Sequence, residues 1–169
     1  MLKARKIDVV TDTIIRDAIE ISRSSYPPGW GCSDPTEYYN QKLRKEDCVL
    51  VILHEAQKSV GFLVAIPQNQ AVEELKAEDP EMKEDRSGYY IENIAILPSY
   101  RGKNGLRKMF SALKDALKKK DVSRISLHAR ISNDLNRAVR KNFTVIDARI
   151  IKNWKYYDHQ EPTEYIVAE

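Results

Sequence analysis

Apolar and polar positions change period several times along this chain, and each change marks an element. Residues 6–10, KIDVV, read as a short first strand. Ile14, Ile15, Ala18, Ile19 and Ser22 then recur at helical spacing, which predicts a helix to about Ser24, capped by Thr11 or Thr13. The run SSYPPGWGCSDP (24–35) ends it, because Pro and Gly cannot continue a helix. Asp34 or Thr36 opens a second, short helix, PTEYYNQKLRKE. Two β-branched runs, CVLVILHE (48–55) and SVGFLVAIP (59–67), flank the polar AQK and predict a hairpin in the middle of a sheet.

Residues 68–88 break the pattern. Seven acidic and three basic side chains, with Pro80 among them, predict an acidic, solvated insertion with room for one short helix. YYIENIAIL (89–97) resumes as strand. From Leu106 onward, Met109, Phe110, Leu113, Ala116 and Leu117 form an amphipathic helical stripe. RISLHARI (124–131) predicts a strand and SNDLNRAVRKN (132–142) a short helix with a thin apolar face. TVIDARIIKNWKYYD (144–158) and TEYIVAE (163–169) predict two last strands joined by an HQEP turn. The order β-α-α-β-β-β-α-β-α-β-β implies an α/β protein, with a central mixed, mostly antiparallel sheet of about seven strands and about four flanking helices. With no repeat and no long linker, residues 1–169 read as a single domain.

Composition narrows the function. A net charge of +3 is too small to argue for nucleic acid, and Lys118–Lys120 read as a solvated helix end that suits the helix dipole. Cys32 and Cys48 lack metal or redox spacing and read as reduced thiols of a cytoplasmic protein. His54, His128 and His159 stand singly, so no metal is expected. No apolar run reaches membrane-spanning length and MLKARKIDVV does not read as a signal peptide, so no membrane partner is expected.

The stretch ILPSYRGKNGLRKMF (96–110) carries the chemistry. A strand end, a tight polar turn and a helix start aim backbone N–H groups at one point, a common way to hold an anion. Arg101, Lys103, Arg107 and Lys108 crowd that turn. Cations at a helix N-terminus oppose its dipole, and a bound anion would account for them.

This order of elements, and YIENIAILPSYRGKNGLRKMF above all, resembles the GNAT superfamily of acetyl-CoA-dependent N-acyltransferases. The resemblance implies a GNAT-like fold with acetyl-CoA as co-substrate. Ile96-Leu97-Pro98 matches the family's apolar-x-Pro step, and Arg101, Gly102 and Lys103 match the start of its pyrophosphate turn. Asn104 stands at the motif's first glycine, Gly105 follows, and Leu106 stands where a final Gly or Ala is usual. A register with Gly105 as the first glycine leaves Arg107 at the last position. If the turn is to bind, Asn104 must take the left-handed conformation and Leu106 must point into the core. The resemblance further implies that backbone at Ile94, Ala95 and Ile96 pairs with the pantetheine arm.

For catalysis it implies transfer of an acetyl group to a primary amine of a small molecule or protein. Glu92 is the candidate general base, with Asn93 or Tyr90 as alternative residues that position a water. Asn133 matches the head of the family's next helix. Arg140 stands where many members carry an acidic Tyr, and Phe143 arrives early. The thiolate would then leave with help from Arg140, or Tyr156 or Tyr157 would take the tyrosine's place. Tyr26, Trp30, Tyr38 and Tyr39 form either an acceptor wall or simple packing. The acidic insertion suggests a cationic acceptor. The alternative reading is an acyl-CoA-binding module with weak or no catalysis. Strand edges near the C-terminus would permit a homodimer.

Overall fold

The computed structural model describes residues 1–27, 34–156 and 159–169, with Lys155, Tyr156 and His159 described by backbone alone. Trp30, Cys32, Tyr157 and the Tyr156 side chain therefore lie outside the described residues. Strand β1 (Leu2–Ile7) begins earlier than the sequence pattern suggests. Its pairing with β2 (Val49–Glu55) reaches Leu2 opposite Glu55, and its charged residues are tolerated because it is an edge strand. Helix α1 (Asp12–Ser25) starts where the Thr11 hydroxyl accepts from the Ile14 N–H at 3.4 Å, and Ile15, Ala18, Ile19 and Ile21 form its buried face. Helix α2 (Pro35–Leu43) is capped by Asp34, with Pro35 in its first turn.

β2 and β3 (Lys58–Pro67) form the expected hairpin in the interior of the sheet. The 68–88 segment departs from expectation. Helix α3 (Gln68–Leu75) and the turn after it bury Gln68, Ala71, Leu75, Asp79 and Met82. The segment is acidic in composition, yet its few apolar residues dock it on the sheet. It adds a fifth α-helix to the order.

β4 (Gly88–Ile96) leads through a short 3₁₀ turn at Pro98–Tyr100 into helix α4 (Gly105–Lys118). The crossover returns as β5 (Arg124–Arg130), parallel to β4. Helix α5 (Leu135–Asn142) then leads to β6 (Val145–Tyr156) and β7 (His159–Ala168). The expected HQEP turn is instead strand. Trp154 pairs with Glu161 and Tyr156 with His159, so sheet hydrogen bonding extends across residues whose composition favours a turn.

The strands form one sheet in the order β1-β2-β3-β4-β5-β7-β6, antiparallel except at β4–β5. One core lies between the sheet and α4 and α5, built on Met109, Phe110, Leu113, Val139 and Phe143. The other lies beneath α1, α2 and α3, around Ile15, Ala18, Tyr39, Leu43, Phe62 and Ala71. Each large aliphatic or Phe side chain among these contributes roughly 1.5–3 kcal/mol of burial free energy, so the two apolar faces hold the helices on the sheet.

Candidate active site

Two irregularities in β4 build the site. The first is its divergence from β5. Parallel pairing joins only Gly88–Tyr90 to Arg124–Ser126, after which β5 continues to pair with β7 alone. From Ile91 onward, β4 therefore presents one backbone edge to an open V rather than to a strand, with Tyr90 and Ser126 at the vertex.

The second is a bulge at Glu92. Val64 of β3 pairs with Asn93, and the next residue, Ala65, pairs with Ile91, so Glu92 is the extra residue. The bulge breaks the alternation of faces. Ile91 and Ile94, three apart, both pack against the α4 side, while Tyr90 and Ala95 pack on the α1–α2 side. Glu92 and Asn93 consequently meet the same hydroxyl. Tyr38 donates to Glu92 Oε1 at 2.9 Å, and Asn93 Nδ2 donates to the Tyr38 oxygen at 2.9 Å. Tyr26, just past α1, donates to Asn93 Oδ1 at 3.0 Å and lies 3.2 Å from the Ile94 carbonyl.

Lys42, in the last turn of α2, completes this cluster. Its Nζ lies 2.9 Å from Glu92 Oε1 and also bonds Glu74 of α3. The Lys42 and Glu92 side chains are only 11% and 7% exposed. Burial opposes the Lys42 charge, but Glu92 and Glu74 outweigh it and hold its pKa above the ordinary lysine value. Both donors fall on one oxygen of Glu92. The other, Oε2, is buried and has no hydrogen-bond partner among the described residues. A buried carboxylate oxygen in this state is an acceptor waiting for an N–H or a water.

The turn 101–105 follows from β4. Gly102 has φ +74°, and Asn104 adopts the left-handed conformation with φ 60° and ψ 16°, as the turn requires of it. Leu106 packs against the α4-side core. Among the described residues no side chain caps the helix, so its first N–H groups are left without a side-chain partner beside an exposed basic turn. Gly105 has a different role, close approach. A Cβ there would lie 2.7 Å from Leu53 Cδ2 and 3.4 Å from Ile96 Cδ1. Arg101 braces the turn: its Nε bonds the Ile96 carbonyl at 3.2 Å and its Nη2 the Ser25 carbonyl at 2.8 Å. Lys103 lies 5.0 Å over the Tyr100 ring, and Arg107 is exposed.

The remaining expected residues lie elsewhere. Asn133 sits in the β5–α5 turn, where its Oδ1 accepts from the Leu135 N–H at 3.1 Å. Arg140 is ion-paired with Glu164, which also accepts from Asn136 at 3.0 Å, and Phe143 is buried in the core. Tyr90, on the α1–α2 side of the sheet, bonds His128 Nδ1 at 2.8 Å. His128 Nε2 in turn lies 2.9 Å from Asp79. Lys42 and Glu74 escaped the sequence reading, since each looks like an ordinary solvated helix charge. Among the described residues no group of three His, Cys, Asp or Glu could hold a metal, and no helix is long and apolar enough to cross a membrane.

A mixed seven-stranded sheet that splays between two parallel strands, with a left-handed turn and a helix start at its open end, defines the class of α/β fold to which the chain belongs. The model of the acetyltransferase (GNAT) family matches residues 15–142, and the chain belongs to that family. A Bacillus subtilis (strain 168) protein named as a [ribosomal protein bS18]-alanine N-acetyltransferase is 38% identical over 71 residues, 42% of this chain and 46% of that protein. The match thus spans about half of that relative's length. The ribosomal-protein-S18-alanine N-acetyltransferase of Escherichia coli shares the fold at a TM-score of 0.68 and 18% identity, over 99% of this chain and 92% of its own. An aminoglycoside 6'-N-acetyltransferase solved with coenzyme A aligns at a TM-score of 0.67 and 13% identity, over 97% and 94% of the two chains.

Proposed function

We propose that the chain transfers an acetyl group from acetyl-CoA to a primary amine, with Glu92 as general base. The observation that carries this reading is the buried Glu92 carboxylate, one oxygen loaded and the other unpaired, at the bulge where β4 leaves β5. When bound, acetyl-CoA supplies the thioester carbon that the amine attacks. The open edge of β4 at Ile94, Ala95 and Ile96 fits the amides of a pantetheine arm, and the N–H groups and cations of 101–107 fit a pyrophosphate. Asn133 is the residue on the β5 side for the same ligand.

An amine must be neutral to attack. Glu92 Oε2 takes a proton from the acceptor ammonium, directly or through a water, while Tyr38 and Lys42 hold Oε1 and so fix the carboxylate's orientation. The C–N bond then forms and the C–S bond breaks; the second proton of the attacking nitrogen passes to the departing sulfur or to solvent, and coenzyme A can leave as a thiolate because a thiol pKa is about 8.5. Glu74, 40% exposed beside Lys42, brings acidic character from the 68–88 segment to this cluster and favours a cationic acceptor. A second reading, acyl-CoA binding without turnover, is favoured by Arg140, whose pairing with Glu164 leaves no evident acid at the family's usual place.

Calorimetric titration with acetyl-CoA, followed by thiol release on a panel of peptide N-terminal amines, polyamines, aminoglycosides and neutral amines, tests both. Turnover with a preference for cationic amines is expected, and Glu92→Gln should lower kcat by about 10²–10⁴-fold with acetyl-CoA affinity unchanged. Tight binding without turnover supports the second reading, and no binding removes both.

A further inference from the structure

The sheet ends in two unlike edges. β1 carries Lys3, Arg5 and Lys6, so pairing with a second β1 would set cation against cation. β6, at the opposite edge, is twelve residues long and has no strand on its outer side among the described residues. Only four large apolar side chains are exposed among those residues, and two of them, Ile146 at 51% and Ile150 at 55%, lie on this one strand.

The sequence of that edge is self-complementary. Residues 146–150 read Ile-Asp-Ala-Arg-Ile, symmetrical about Ala148 except that Asp147 and Arg149 exchange. When two copies pair antiparallel about a two-fold axis at Ala148, Asp147 of each copy opposes Arg149 of the other. The same register brings Ile150 of each beside Ile146 of the other. The neighbouring registers are penalised: centring on Asp147 opposes aspartate to aspartate, and centring on Arg149 opposes arginine to arginine. Charges on an edge strand ordinarily discourage pairing. Here they discourage the two adjacent symmetric registers and favour the one between them.

The backbone allows it. Register breaks at Val145/Asp147 and Ile151/Trp154 leave 147–151 in regular pairing with β7, and the three central residues of the symmetric register lie inside that stretch. Arg149 is held in place from within its own chain, its Nη2 bonding both oxygens of Asp79 at 2.5 Å while the guanidinium lies 4.9 Å over the Tyr165 ring. Asp147 is exposed.

We propose that the chain forms a two-fold dimer in which β6 pairs antiparallel with β6 of a second copy, centred on Ala148, so that the two sheets become continuous. Sedimentation equilibrium of the full chain over a concentration series reads the association. Asp147→Lys, at an exposed position, puts lysine against arginine in both symmetric pairs and should raise the dimer Kd about tenfold or more. Ala148→Cys tests the register itself. Directly opposed Cβ atoms lie about 4.5–5.5 Å apart, close to disulfide reach, so mild oxidation should yield a covalent dimer well above the wild-type background. Ile150→Cys, which opposes Ile146, should crosslink far less. A chain that stays monomeric throughout overturns the proposal. So does a dimer that survives Asp147→Lys and is not crosslinked by Ala148→Cys, or that crosslinks better through Ile150→Cys. If Asp147→Lys fails to fold, by circular dichroism, the two cysteine variants decide alone.

Discussion

At the scale of single residues, Glu92 and Lys42 show how a charge's meaning depends on its partner. Neither stands out from strand or helix composition, and each alone would be costly at its depth. Together, with Tyr38 and Glu74, they form a buried cluster in which removing one member leaves the other uncompensated. Lys42→Met should therefore destabilise the fold by on the order of 3 kcal/mol, and the Lys42→Met/Glu92→Gln double variant should recover part of that loss. Urea unfolding of the four proteins of this double-mutant cycle measures the coupling. Additive losses would mean that the pair contributes nothing beyond its separate members.

At the scale of elements, the turn between β4 and α4 illustrates how glycine's two uses can be divided among neighbours. Asn104 supplies the left-handed backbone, Gly102 a second positive φ in open space, and Gly105 the close contact with Leu53. The motif position that usually holds a final Gly or Ala can be Leu106 because that side chain turns to the core. Asn104→Gly should leave acetyl-CoA affinity near wild type, whereas Asn104→Val, β-branched at a positive φ, should weaken it. Calorimetric titration of the two variants checks this. The spacing of Met109, Phe110, Leu113, Ala116 and Leu117 made α4 plain in the sequence, because its face is apolar at every turn. Helix α3 was harder to read, since docking of a few residues, and not its acidic composition, decided its place.

At the scale of the whole molecule, a buried polar chain crosses from β4 to β6 behind the V. Tyr90 bonds His128, His128 bonds Asp79, and Arg149 bonds Asp79, while Trp154 stacks on His128 at 3.9 Å. Burial holds His128 below the ordinary imidazole pKa, against the opposite pull of Asp79. Burial alone would raise the Asp79 carboxyl, but bonds from His128 and Arg149 outweigh it and keep it low. Both shifts have the same sign for stability. The unfolded chain binds more protons as pH falls below about 6.5, where free histidine titrates, and again near 3.9, where free aspartate does, so the fold is stable at neutral pH and weakens in two stages below it. Thermal melts from neutral to acidic pH should show a falling Tm, with the first stage reduced in His128→Gln. His54, also lowered by burial and by Arg5, adds a loss of the same sign that His128→Gln leaves in place.

By itself the sequence determined the order of elements, the amphipathic faces, and the strand–turn–helix that marks the family, because these depend on local period and on residues whose backbone preferences are strong. It also placed Glu92, Asn93 and Tyr90 on one strand, without saying which would face the cleft. Tertiary structure decided that. The bulge at Glu92 turns two consecutive side chains to one hydroxyl, and the parting of β4 from β5 opens an edge beside them. Lys42 and Glu74 join from helices 50 and 18 residues away along the chain. Such meetings are set by how sheets twist, bulge and pack, and no local pattern of hydrophobic and polar positions records them.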